Sequence, residues 1–330
     1  MNNWEIDVNV LIIFFVREDV LKETFEAVRK ARPRRLLLWQ DGPRKNKKDD
    51  IEKINKCREI VSNIDWDCEV YRNYNENNIG CDPSIFYAYN WAFSIVDKCI
   101  FLEDDQVPNQ SFFRFCKELL DYYEKDDRIS HICGYNYTEI TESCKEDYLF
   151  SLFGSGAWAT WKRVVKEWDG SYSFLDNKEN ISNLIKRYGK IAEESFKTAE
   201  RHRKTKKEFW ESIVGCNCLL NNHLVIIPKK NLVSNKGLTE NAAHSSANMK
   251  FLPKVTRKLF YMSTYEIEFP LHHPKNKIIN MKYINEVCNI MGLGKPVLSL
   301  KRRLEGKLNR IKYKLNLKIR FILGLKSEKR

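Results

Sequence analysis

Apolar positions fall along this chain in two rhythms: short unbroken runs, and longer stretches repeating every three to four residues. The run Val8–Val16 (VNVLIIFFV) predicts a buried strand. Val20, Leu21, Phe25 and Val28 then share one helical face, predicting a helix over about 19–30 that Pro33 closes. Leu36–Trp39 predicts a second strand, ended by the turn chemistry of Gln40-Asp41-Gly42-Pro43. A charged helix over about 49–62 leads to a short strand at Cys68–Arg72. The polar stretch 73–80 closes on Gly80, and Pro83-Ser84 opens a helix carrying Phe86, Ala88, Trp91, Ala92 and Ile95. Cys99–Leu102 predicts the next strand. Strands alternating with helices build parallel sheets covered by helices, so the expected fold class is α/β: a Rossmann-type mixed, mostly parallel sheet with flanking helices.

That fourth strand ends in Glu103-Asp104-Asp105. In open α/β sheets, ligands bind beyond the carboxyl ends of the strands. Three adjacent carboxylates there repel one another unless a cation or hydrogen-bond donors intervene. Two readings stay open: a solvated acidic turn, or a hard-oxygen site for Mg²⁺ or Mn²⁺ carrying phosphate oxygens. Val107-Pro108 breaks the chain next, and Ser111 is the predicted cap of a helix carrying Phe112, Phe113, Phe115, Cys116, Leu119 and Leu120. Ile129–Cys133 and Leu224–Pro228 predict further strands. Between them, Gly154 and Gly156 interrupt the aromatic stretch Phe153–Trp161, as a packing corner or as a loop over a ligand, and about 173–209 reads as exposed, Lys- and Glu-rich helix.

The unit of strand, Glu-Asp-Asp, Pro and Ser-Phe-Phe-Arg-Phe resembles the metal site of GT-A-fold glycosyltransferases. The likeness is to the bacterial family-2-type enzymes often labelled hemolysin-activation proteins, and locally to the N-acetylglucosaminyltransferase that begins N-glycan branching. It spans about residues 8–244 and rests on several motifs in order. It implies Asp105 as metal ligand, Glu103 and Asp104 facing the ribose and donor sugar, Arg17 at the donor, and Asp41 hydrogen-bonding the nucleotide base. It places Gly156 and Trp158 in a loop over the donor sugar. Glu211, after Trp210, matches the general base of inverting transferases, with Glu where Asp is commoner. His244 matches a second metal or phosphate ligand, which with a carboxylate would favour Mn²⁺ over Mg²⁺. Asp82-Pro83, Lys236 and Thr239 depart from the family pattern.

The resemblance implies metal-dependent, inverting transfer of a hexose or N-acetylhexosamine in bacterial surface-polysaccharide synthesis. The donor would be a nucleotide-diphosphate sugar, with UDP the expected nucleotide, and the acceptor a glycan or lipid-linked glycan. The division expected is a GT-A domain over 1–250, with a nucleotide-sugar-binding half to 134 and an acceptor-binding half from 135. An extension over 251–295 and a basic amphipathic helical tail over 296–330 would follow.

Composition adjusts this picture in two places. With 330 residues, 43% of them hydrophobic, the chain can bury one large or two small cores. No apolar run is long enough to span a bilayer, the start lacks a basic leader region, and ten cysteines contain no CxxC pair, so a cytoplasmic location with reduced thiols is expected. The formal charge of +13 resembles a nucleic-acid signal until it is located: residues 301–330 hold 12 Lys+Arg against 2 Asp+Glu, which leaves +3 on the rest. In that tail, Val297, Leu300, Leu304, Leu308, Ile311, Leu315, Ile319 and Ile322 recur at three or four residues among Lys and Arg. This pattern predicts an in-plane helix and an anionic membrane surface as partner, on the inner face of the cell membrane. The tail has no aromatics spaced for base stacking, so no nucleic-acid partner is expected. His272-His273 has no partner spacing and is expected at the surface. Two alternatives compete: a sugar-nucleotide nucleotidyltransferase, whose usual Gly-rich basic loop is missing from Phe14–Asp19, and a noncatalytic membrane-surface binding protein.

Overall fold

The computed structural model describes residues 6–238 and 249–322. In chain order the elements are β1 (Ile6–Phe14), α1 (Glu18–Ala31), β2 (Pro33–Gln40), α2 (Asp50–Ser62), β3 (Glu69–Tyr74), α3 (Cys81–Ile95), β4 (Lys98–Glu103), β5 (Gln106–Pro108), α4 (Gln110–Tyr122) and β6 (Ile129–Cys133). Then follow β7 (Tyr148–Ser151), β8 (Trp158–Trp161), α5 (Lys162–Val165), α6 (Lys178–Tyr188), α7 (Lys190–Arg203), α8 (Trp210–Leu220), β9 (Leu224–Pro228), β10 (Val233–Asn235), α9 (Lys254–Arg257), α10 (Met281–Met291) and α11 (Pro296–Ile322). A single eight-stranded sheet runs in the order β3-β2-β1-β4-β8-β6-β9-β7. Four of its pairings are parallel, so the chain is a mixed, mostly parallel α/β protein.

Period-two alternation in the strands feeds two apolar layers. Val10, Ile12 and Phe14 pack on one face with α1, α2 and α4, whereas Leu11 and Ile13 pack on the other with α3, α8 and α10. In α1, Glu18 and Asp19 occupy the first turn and Arg29 and Lys30 the last, each sign complementing the helix dipole. The register matters for function: Phe14 pairs with Gln40, Gln40 with Tyr74, and Ile13 with Glu103. The carboxyl ends of four parallel strands are therefore level, and the loops carrying Arg17, Asp41 and the acid triplet leave from one edge.

Two features differ from the sequence reading. Trp158–Trp161, expected within a glycine-interrupted loop, is the antiparallel strand β8, inserted between β4 and β6. Four residues are too few for alternation to reveal a strand. The cap of α4 is Asn109, whose side chain accepts from the Phe112 amide at 3.1 Å. Ser111 lies inside the helix and bonds the Glu266 carboxylate instead. Beyond residue 250, Met262 and Leu271 join one core layer and Tyr283 and Val287 the other. The eight-stranded sheet takes strands from both sides of residue 134, with β6 between β8 and β9.

Candidate active site at the carboxyl edge of the sheet

Between β4 and β5 the chain turns through Asp104 and Asp105. Arg17, in the short connection from β1 to α1, reaches both acids: Nε donates to Asp104 at 3.2 Å, Nη2 forms a second, short bond to Asp104, and Nη1 lies 2.8 Å from Asp105. This bidentate fork plus a third contact places one cation among the carboxylates, the arrangement that keeps such a cluster together. Asp104 is buried, and burial raises its carboxyl against the opposing pull of Arg17. Burial works against the guanidinium charge as well, but Asp104 and Asp105 hold Arg17 above its ordinary value. Thr24 Oγ1 donates to the Asp104 carbonyl at 2.8 Å, fixing the turn to α1. Gln106 clamps Glu103 twice, accepting from its amide and donating to its carboxylate, both at 3.1 Å.

Asp41 follows β2 and is saturated by the chain itself. Its carboxylate accepts from the amides of Gly42 (2.9 Å), Ile79 (3.0 Å) and Gly80 (3.1 Å) and from Asn78 Nδ2 (2.8 Å). Burial pushes this carboxyl up, while those donors pull it down. Asp41 thus ties the β2 edge to the loop entering α3. Gly80, at φ +94°, turns that loop in a conformation side chains rarely adopt. A cleft of about 410 Å³ opens here, lined by Arg17, Asp41, Glu103 and Asp104 together with Arg44, Lys47 and Lys53. Sequence reasoning did not single out those three cations, although the basic cluster after Gly42-Pro43 was their signal.

Glu211 lies in the first turn of α8 and lines a second cleft of about 620 Å³ with Tyr137, Ser155, His202 and Phe209. The acid of this second cleft bears electrostatically on an acid of the first. Burial first, then the carboxylates of Asp105, Glu211 and Asp104, push the Glu103 carboxyl well above its ordinary value. Residues more than a hundred positions apart in sequence thus share one electrostatic site.

Trp158 does not line either cleft. Its indole is buried, donates to the Tyr89 hydroxyl at 3.1 Å, and stacks on Trp210 at 6.2 Å with 13° between the rings. Strand β8 turns it into an aromatic layer with Tyr89, Phe101, Trp168 and Trp210. Gly156 has φ +98°, and a Cβ there would meet the Tyr135 Cβ at 3.0 Å. Its neighbours Gly154 and Ser155 edge the Glu211 cleft. His244 lies outside the described residues. His273, expected at the surface, stacks on Tyr122 at 3.9 Å and bonds the Tyr148 hydroxyl at 2.8 Å, whereas His272 is exposed.

Among the described residues, no group of three or more His, Cys, Asp or Glu side chains could hold a metal ion. Asp105 is one hard carboxylate, faced by Arg17 and closely approached by Gly237, where any Cβ would collide with its oxygen. This donor set does not form an all-protein cage. A divalent ion brought in on phosphate oxygens would need only one or two protein carboxylates.

No family model and no curated protein matches the sequence. Among solved structures, the chain is similar to the inositol-1-phosphate CTP transferase from T. maritima, with TM-score 0.38, 9% identity, and coverage of 74% of this chain and 94% of that one. It is also similar to a UDP-glucose pyrophosphorylase complexed with UDP-glucose, with TM-score 0.34, 8% identity, and coverage of 69% and 92%. A third is 4-diphosphocytidyl-2C-methyl-D-erythritol synthase from Anaerococcus prevotii DSM 20548, with TM-score 0.29, 11% identity, and coverage of 48% and 73%. Likenesses this remote add nothing to what the sheet order already shows.

Proposed function

We propose that this chain is a glycosyltransferase moving a sugar from a nucleoside-diphosphate donor to an acceptor hydroxyl with inversion. The observation that carries the reading is a pair of acid-lined clefts, one holding Glu103 beside Asp104 and Arg17 and the other holding Glu211, whose charge bears on Glu103. A donor seated along the first cleft would place its diphosphate among Arg17, Arg44, Lys47 and Lys53 and its sugar toward Glu103. Glu211 would take the proton from an acceptor hydroxyl in the second cleft as that oxygen attacks the anomeric carbon opposite the leaving diphosphate. Asp105 is the residue to hold a divalent ion, which would supply charge neutralisation on the departing diphosphate. Arg17 keeps Asp104 turned inward and Asp105 in place.

A second reading, nucleotidyl transfer from a nucleoside triphosphate to a sugar phosphate, draws on Arg44, Lys47 and Lys53 in the same cleft, where Arg44 holds Asp50 and Lys53 holds Asp49. The by-product separates the two. Incubation with a panel of nucleotide sugars and Mn²⁺ should release nucleoside diphosphate, slowly by hydrolysis when no acceptor is present. Release of pyrophosphate from nucleoside triphosphate and sugar phosphate, with no nucleoside diphosphate from any donor, would instead establish the second reading.

A further inference from the structure

We propose that helix α11 lays an exposed apolar stripe on an anionic phospholipid surface. Val297, Leu300, Leu304, Leu308, Ile311 and Leu315 are between 51% and 81% exposed. At 3.6 residues per turn they fall within an arc of roughly 80° on one side of the helix. The opposite side is tied to the body: the Tyr313 ring meets Phe251 at 5.1 Å, Asn309 Nδ2 donates to the Leu252 carbonyl at 3.1 Å, and Glu305 accepts from the Lys254 amide at 2.9 Å. The helix is therefore docked with its polar side inward and its leucines outward, the reverse of an ordinary surface helix.

The charges name the occupant. Lys301 and Lys312 border the stripe on one side, and Arg303, Lys307 and Lys314 on the other. A second copy of this helix would bring like charges together along both borders, and a nucleic acid would meet the cations while leaving the leucines in water. An anionic bilayer satisfies both features, taking apolar side chains below its headgroups and cations at them. Just before α11, Met291 and Leu293 line the Glu211 cleft and are themselves 43% and 37% exposed. A groove lined by Lys197, Arg201, Lys204 and Arg303 shares Glu194 and Thr198 with that cleft. Resting on the function proposed above, this adjacency makes a lipid-linked acceptor the class that enters there; the docking itself does not depend on the reaction.

The test is flotation of the full chain with phosphatidylglycerol-containing vesicles and with neutral phosphatidylcholine vesicles, at low and high salt. A Leu304→Gln/Leu308→Gln/Ile311→Gln variant alters only exposed positions, and circular dichroism checks its fold. The chain should float with anionic vesicles at low salt, less with neutral ones, and the triple variant should lose at least about tenfold in partitioning. The Asp105→Asn protein should float like the parent, which separates docking from the transfer reaction. Absence of flotation at low salt, equal flotation of the triple variant, or a stripe-dependent dimer that ignores vesicles would each overturn the proposal.

Discussion

Arg17 Nη1 stands 2.8 Å from an Asp105 oxygen while the rest of the same guanidinium grips the buried Asp104. One cation therefore serves two acids with different surroundings, and substitutions should separate them. Asp105→Asn should abolish Mn²⁺-dependent turnover and leave the melting temperature close to that of the parent, because Asp104 keeps its partner. Arg17→Leu should cost about 3–5 kcal/mol in urea unfolding, the penalty for leaving a buried ion without its mate. Full turnover by Asp105→Asn would remove Asp105 from the reaction.

Asp41 makes a different prediction, because its partners are amides of its own chain. Asp41→Asn would turn an N–H group toward the donors of Gly42, Ile79, Gly80 and Asn78, leaving some unmet. A loss of about 1–3 kcal/mol is expected from denaturant titration, with weaker donor binding as the cleft edge loosens. Loss of donor affinity at unchanged stability would instead make Asp41 a direct ligand of the base.

The pH dependence of stability follows from Glu103. Burial, then Asp105, Glu211 and Asp104, raise its carboxyl in the folded state above its unfolded value. The folded protein then keeps this proton over a range in which the unfolded chain has lost it. The contribution is full below the ordinary carboxylate pKa and is lost as pH rises through the raised one. Glu103→Gln, which can still accept from Gln106, should unfold at higher urea than the parent above the ordinary carboxylate range, with the difference closing in acid. A difference that grows in acid would reverse the sign and refute the crowding of acids at this site.

Much of the frame was legible in sequence because its signals are long. Val8–Val16 and the face Val20, Leu21, Phe25 and Val28 correspond to β1 and α1 within two residues at each end. Short elements were not: β7 and β8 are four residues each, below the length at which alternation is visible. Arg17 and the triplet could be placed at one sheet edge from strand order alone. The electrostatic link from Glu211 to Glu103 could not, since nothing in the spacing of α8 reports which strand end it faces, and only the family resemblance singled it out. Trp158 shows the converse. Its motif drew attention to the loop, while the fold placed its ring in the packing below.

Gly237 tests how tightly the ribbon of β5 and β10 holds Asp105. The Lys236 amide donates to the Asp105 carbonyl at 2.7 Å, which brings Gly237 against the carboxylate. Gly237→Ala should displace the carboxylate and lower turnover by about tenfold or more, the scale on which small misplacements act in active sites. Gly134→Ala, whose Cβ would meet the Phe112 ring, should act on stability instead. Parental turnover in Gly237→Ala would show that Asp105 need not hold its position.

The most direct test of the account is the division between donor binding and transfer in Glu211→Gln, with calorimetric donor titration and turnover measured on one preparation. Donor affinity should stay parental while turnover falls on the order of 10²- to 10⁴-fold, because a base acts on the acceptor proton alone. Parental turnover, or a loss of donor affinity as large as the loss of turnover, would contradict it.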